Sequence, residues 1–224
     1  MKLINKFKSH NFDKRNNKIL FIIIHYTALS SCKEAIDYLC NRKNKVSSHY
    51  LISQNGDIYN LVDDKKRAWH AGLSYWDEIE DMNSSSIGIE LDFSENKLNN
   101  RFSKKMMNSL IKLLRLLKAK YAIKNSDILG HSDIAPFRKK DPGSKFPWLK
   151  LSNKNLVYIN SKKNFTNKIK IKKWFFKNKI RSQKKITLFI LSFIGYDTKK
   201  INNDSNLFSK LVLAYQTRFL ISKP

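Results

Sequence analysis

Two histidines and an aspartate have the types and spacing for chemistry. His25 closes an unbroken apolar run from Ile19 to Ile24, and His131 closes a shorter one, Ile128-Leu129-Gly130. Asp141 lies ten residues beyond His131, in a loop stiffened by Pro136 and Pro142. Imidazole nitrogens and a carboxylate oxygen brought from separate strands and loops are the donors of a hydrolytic zinc site, which uses three protein ligands and keeps one position open. Each residue alone also fits a hydrogen-bonded structural role, so both readings stand at this point. Glu90 and Asp92 share the polar face of an alternating segment whose other face is Ile87, Ile89, Leu91 and Phe93. Facing alone does not separate a solvated carboxylate from one in a cleft. Lys139 lies between Arg138 and Lys140, the composition of a solvated loop.

The elements that must position these residues are legible from periodicity. Residues 19–26, rich in β-branched and aromatic side chains, read as a central strand covered on both faces. Ser31 followed by Glu34 has capping-box spacing and predicts a helix over 32–43. Asn55-Gly56 between two alternating runs predicts an antiparallel pair over 49–62. A polar stretch over 63–86 reads as loop, and 87–93 as a strand. Met106, Met107, Leu110, Leu113, Leu114 and Leu117 recur at helical spacing within 103–121. A short strand then ends at His131, followed by a Pro- and Gly-containing loop to Trp148. The expected fold is α/β, with a mixed central β-sheet flanked by helices.

Beyond residue 152 the texture changes. Residues 1–152 carry 27 basic and 16 acidic side chains, net +11, and 153–224 carry 17 and 2, net +15, which together give the chain's +26. Such a surface attracts polyanions at low salt. Nucleic acid, anionic lipid and carboxylate-bearing substrates all qualify, and no base-reading motif is present to favour nucleic acid. Lysines spread over a solvated surface are the alternative. The expected organisation is an N-terminal arm (1–18), a catalytic-type domain (19–152), a basic linker (153–185) holding Trp174, Phe175 and Phe176, and a small helical extension (186–224) with helices over 186–194 and 207–220. Cys32 and Cys40 have neither metal-knuckle nor redox-pair spacing. No apolar run is long enough to span a bilayer. Leu29-Ser30-Ser31-Cys32 imitates a lipoprotein cleavage site, but cleavage there would discard His25, so no cleaved leader is expected.

One loop is far more specific than its parts: Gly130-His-Ser-Asp-Ile-Ala-Pro-Phe-Arg-Lys-Lys-Asp-Pro-Gly-Ser-Lys-Phe-Pro-Trp148. With Phe21-Ile-Ile-Ile-His-Tyr-Thr-Ala28, Val46-Ser-Ser-His-Tyr-Leu-Ile52, Arg67-Ala-Trp-His-Ala-Gly-Leu-Ser74 and Ser86-Ile-Gly-Ile-Glu-Leu91, it makes residues 19–148 resemble the AmpD and AmiD-like N-acetylmuramoyl-L-alanine amidases, whose fold is shared with peptidoglycan recognition proteins. Phe137 is bulkier than the residue usual at that loop position. The resemblance implies a zinc ion on His25, His131 and Asp141, a catalytic carboxylate at Glu90 and a catalytic lysine at Lys139. It implies hydrolysis of the amide between N-acetylmuramic acid and L-alanine in peptidoglycan or muropeptides. His49 and His70 are then candidates for orienting or substrate-contacting imidazoles, and Trp69 for stacking on a sugar, with core packing as the alternative for each. Phe193-Ile-Gly-Tyr-Asp197 and Ala214-Tyr-Gln-Thr-Arg-Phe219 resemble part of the helical peptidoglycan-binding-like module of AmiD-like members. A cytoplasmic site of action is expected, with the periplasm or envelope as the alternative. A recognition module of the same fold, binding peptidoglycan without cutting it, is the competing reading.

Overall fold

The computed structural model describes residues 3–96, 101–159, 165–202 and 204–219, with side chains from 170 onward in the first helix after residue 160. The strands are β1 (Leu3–Ile4), β2 (Phe12–Lys14), β3 (Phe21–Tyr26), β4 (Tyr50–Ile52), β5 (Ile58–Asn60), β6 (Lys66–Ala68), β7 (Ser86–Leu91) and β8 (Ile128–Gly130). The helices are α1 (Cys32–Cys40), α2 (Met82–Ser85), α3 (Lys104–Tyr121), α4 (His131–Ile134), α5 (Trp148–Ser152), α6 (Phe165–Lys177), α7 (Gln183–Ile194) and α8 (Ser205–Phe219).

Six strands form one mixed sheet in the order β1-β5-β4-β7-β3-β8. Its centre is parallel, since β7 pairs in parallel with both β4 and β3, and β3 with β8. The β4–β5 pair is antiparallel around the Asn-Gly turn, as the sequence predicts. Strand β3 runs through the middle, and Ile22, Ile23 and Ile24 are fully buried. Alternation sends Ile22 and Ile24 to one face, where they meet Ile87, Ile89 and Leu91 of β7 and the apolar stripe of α3. Phe21 and Ile23 go to the opposite face, against Trp76, Leu191, Tyr196, Leu211 and Ala214. Ser103 caps α3, its hydroxyl accepting from the Met106 N–H at 3.0 Å.

Several boundaries differ from sequence expectation. The α1 helix stops at Cys40, where Asn41 turns the chain into a 3-10 turn over Arg42–Asn44. The stretch 63–86 contains β6, which the arm's β2 completes as a two-stranded ribbon, and α2, capped by Asp81. The arm is built into the domain: Arg15 donates to the carbonyls of Asp64, Lys66 and Ser86 at 2.8 to 3.0 Å. Within the segment expected to be a linker, 165–177 is helical, and α7 begins at Gln183. The last helix ends at Phe219 among the described residues, and the expected terminus at Leu220 lies outside them.

Candidate metal centre

The register of the sheet assembles the site. His25 on β3 and Glu90 on β7 are direct cross-strand partners. Because Ile87, Ile89 and Leu91 face α3, Glu90 projects from the same face as His25. His131 follows β8, the next strand on the other side of β3. All three therefore lie at the carboxyl ends of adjacent parallel strands, the edge where open α/β sheets present their ligand crevice. Asp141 is carried in by the loop after α4, whose return is fixed by the Ser132 N–H donating to the Asp141 carbonyl at 2.8 Å.

His25 Nδ1, His131 Nδ1 and Asp141 Oδ2 converge, at 2.9 Å between the two nitrogens and 3.1 Å from each to the oxygen. Ligand atoms of a tetrahedral zinc are separated by about 3.3 Å, so the cluster fits such an ion after an outward shift of a few tenths of an ångström. The imidazole rings lie nearly perpendicular, at 76°, so two lone pairs meet at one point. The opposite nitrogens are also occupied. His25 Nε2 lies 3.0 Å from His70 Nδ1, His70 Nε2 lies 3.3 Å from the Ser86 hydroxyl, and that hydroxyl donates to the Met82 carbonyl. His131 Nε2 lies 3.1 Å from the Ala71 carbonyl. With Nε2 protonated on all three rings, His25 and His131 both present a bare Nδ1 to the centre, the tautomer a metal ligand requires.

Electrostatics agree with that assignment. Burial, then the neighbouring His131, lowers the His25 pKa to about 4. Burial holds His70 well below the usual imidazole range, with His25 adding to the effect. Burial alone would raise Asp141, yet His131 and His25 hold it ionised well below the usual carboxylate range. Glu90 moves the other way: burial, reinforced by the charge of Asp141, pushes it up to about 8. Its Oε2 is shielded and has no hydrogen-bond partner. A shielded, unpartnered carboxylate oxygen beside a cluster of metal-type donors is a group placed to take a proton.

These residues open into one cleft of about 440 Å³, lined by His25, Glu90, His131, Asp141 and the exposed Lys139. His70 forms part of its floor. The other sequence candidates lie elsewhere. His49 is fully buried, accepting from the Gly88 N–H at 3.0 Å through Nδ1 and lying 3.1 Å from the Lys66 carbonyl through Nε2. Trp69 donates its indole N–H to Asp13 at 2.7 Å, on the β2–β6 side of the domain. Phe137 packs against the second core cluster. Two residues that shape the site, one lining the cleft and one behind it, were not singled out in the sequence. Arg138 donates to the carbonyls of Leu73 and Ala71, clamping that loop over His131. Asn83 accepts from the His70 and Ala71 N–H groups at 2.9 and 2.7 Å. Neither carries a local signal, since Arg138 looks like any residue of a basic run and Asn83 like any turn residue.

Gly88 is required by this packing. A Cβ there would come within 2.4 Å of the His70 ring. Gly88→Ala is expected to displace His70 from His25, costing about 1–3 kcal/mol of stability and weakening metal affinity roughly 10- to 100-fold. Metal titration alongside urea unfolding measures both.

A mixed sheet carrying two histidines and an aspartate at the carboxyl edge of its parallel strands, with a shielded glutamate alongside, defines an α/β metal-site domain of hydrolase type. Residues 15–144 match the family model described as N-acetylmuramoyl-L-alanine amidase, and the chain belongs to that family. It is 36% identical over 152 residues to the N-acetylmuramoyl-L-alanine amidase AmiD of Escherichia coli, a match covering 62% of this chain and 54% of AmiD. It is 34% identical over 163 residues to the 1,6-anhydro-N-acetylmuramyl-L-alanine amidase AmpD of Haemophilus influenzae, covering 64% and 87%. The chain thus spans about half the length of AmiD. Among solved structures, the E. coli AmiD complex with anhydro-N-acetylmuramic acid-L-Ala-D-γ-Glu-L-Lys superposes with a TM-score of 0.77 at 28% identity, over 91% of this chain and 81% of the other. AmpDh3 of Pseudomonas aeruginosa, in complex with an anhydromuramic pentapeptide, gives 0.76 at 26% identity, over 99% and 91%.

Proposed function

We propose that this chain is a zinc-dependent N-acetylmuramoyl-L-alanine amidase that hydrolyses the lactyl amide between N-acetylmuramic acid and L-alanine in muropeptides or peptidoglycan. The convergence of three buried donor atoms beside the unpartnered Glu90 oxygen carries the reading. His25, His131 and Asp141 would hold the zinc. When bound there, the ion would supply polarisation of the scissile carbonyl and acidification of water. Glu90 takes a proton from the attacking water and returns it to the leaving amine of L-alanine, a transfer suited to a carboxylate whose proton affinity has been raised toward neutrality. Lys139, on the exposed rim, donates to the oxyanion as the carbonyl carbon becomes tetrahedral. His70 orients His25, and Arg138 holds the loop through which His131 is fixed. The relatives solved with anhydromuramic peptides support muropeptide fragments as substrate; the site of action we propose is the cytoplasm, which fractionation tests.

The recognition-module reading is disfavoured by the same observation, since binding without cutting needs neither an open metal position nor a carboxylate of raised proton affinity. Zinc content by elemental analysis, measured with cleavage of a purified muropeptide, tests the proposal. The native chain is expected to hold a single zinc and release a peptide with a free L-alanine amine. His131→Ala should lose both. Muropeptide binding with neither zinc nor cleavage in the native chain would overturn the proposal.

A further inference from the structure

The α7 helix has two apolar faces. Leu191 on one side is buried against the second core cluster. On the other, Ile186, Phe189, Ile190 and Phe193 recur at the spacing of a single stripe, and this stripe faces outward: Phe193 is 87% exposed, Phe189 47% and Ile190 38%. Trp174 of α6, itself 47% exposed, extends the patch by stacking on Phe189 at 5.4 Å and 30°. Exposed Lys170, Lys173 and Lys177 flank Trp174 on its own helix, and Lys185 lies one turn before Phe189. Between Pro142 and Tyr196 the sequence has fourteen Lys and Arg and no Asp or Glu.

We infer that the α6–α7 face docks on the surface of an anionic lipid bilayer, with Trp174, Phe189, Ile190 and Phe193 seated at the headgroup boundary and the lysines against lipid phosphates. Contiguous exposed aromatic and aliphatic side chains rimmed by lysine are the signature of an interfacial helix. A second copy of the chain is disfavoured by like charge across the contact. A nucleic acid would neutralise the lysines but leave the aliphatic part of the stripe in water, and a hydrated neutral glycan would satisfy neither. Among the described residues no helix is long and apolar enough to cross a membrane, so the helices would lie on the bilayer and not span it.

Flotation of the full chain with vesicles tests this. Binding is expected to phosphatidylglycerol-containing vesicles and to be weak on phosphatidylcholine alone. Phe189→Ser with Phe193→Ser should weaken binding by roughly tenfold or more, and each lysine changed to Gln among Lys170, Lys173 and Lys177 by about fivefold. Unchanged far-ultraviolet dichroism and zinc content serve as fold controls. In the native chain, brominated acyl chains should quench the fluorescence component that Trp174→Phe removes, a readout independent of the phenylalanine variants. Retention of full vesicle binding by the double Phe variant, absence of that quenching, or tighter binding to DNA than to anionic vesicles would each overturn the inference.

Discussion

Glu90→Gln should lower amide cleavage by about a hundred- to ten-thousand-fold while leaving the zinc content unchanged. Glu90 is not one of the three converging donors, so on the proposed reading removing its carboxylate would spare the metal and remove only the proton carrier. Lys139→Ala should fall less far, roughly a hundred- to a thousandfold, as expected for one oxyanion donor among several sources of stabilisation. The same Glu90 variant has a second signature in the metal-free protein. Burial and Asp141 push Glu90 up to about 8, against an ordinary value of 4.5. Between those two values the native state holds a proton that the unfolded chain has released, so native stability falls as pH rises through the window. Glu90→Gln has no such slope. From about pH 6 to pH 8 the variant should therefore gain about 1–2 kcal/mol relative to the native chain, and urea unfolding of the two metal-free proteins measures the difference. A variant that loses turnover but leaves the pH slope intact would mean that another group carries the raised proton affinity.

The sequence reveals the site unevenly, and the physical reasons differ by residue. His25 and His131 were legible because each ends an apolar run that had to be a buried strand, and strand ends in a parallel sheet fall on one edge. For Glu90, alternation supplied the face but not the destination. Only the cross-strand register, which pairs it with His25, turns that face toward the metal donors. His49 and His70 show the reverse. Both are candidates for the same role in the sequence, yet one is sealed under Gly88 and Lys66 and the other bonds to His25, because pairing of β4 with β7 is a long-range event that no local pattern encodes. The arm shows no element in the sequence because two- and three-residue strands leave no periodicity to detect, and Arg15 is drawn in by carbonyls far along the chain. The basic run around Trp174 read as a connector because lysine dominated its composition, whereas lysine is a good helix former and the region is helical.

Arg218→Ala is expected to cost about 3–5 kcal/mol, although the residue is in the last described helix and far in sequence from the cleft. Arg218 is only 2% exposed, with its guanidinium 3.5 Å above the Trp148 ring. It donates to the Ile128 carbonyl at 2.7 Å and places Nε 3.9 Å from Asp133 Oδ2. Asp133 in turn accepts from the Gly130 N–H and the Tyr196 hydroxyl, both at 2.7 Å. A buried carboxylate two residues from His131 is thus balanced by a cation from α8 and tied to the α7–α8 corner through Tyr196. Truncating the arginine leaves the Asp133 charge buried without its counter-ion, which costs far more than the intact pair contributes. Asp133→Ala combined with Arg218→Ala should therefore cost less than the sum of the single changes. Gln216→Ala, on the exposed side of the same helix, should stay within about 0.5 kcal/mol of the native chain. Because Asp133 also anchors the Gly130 N–H beside His131, the arginine variant should release zinc to a chelator faster than the native chain. Additive costs in the double variant, with native zinc release in Arg218→Ala, would mean that the terminal helices merely cover the sheet. Strong coupling with faster release would make them part of the structure that fixes the metal loop.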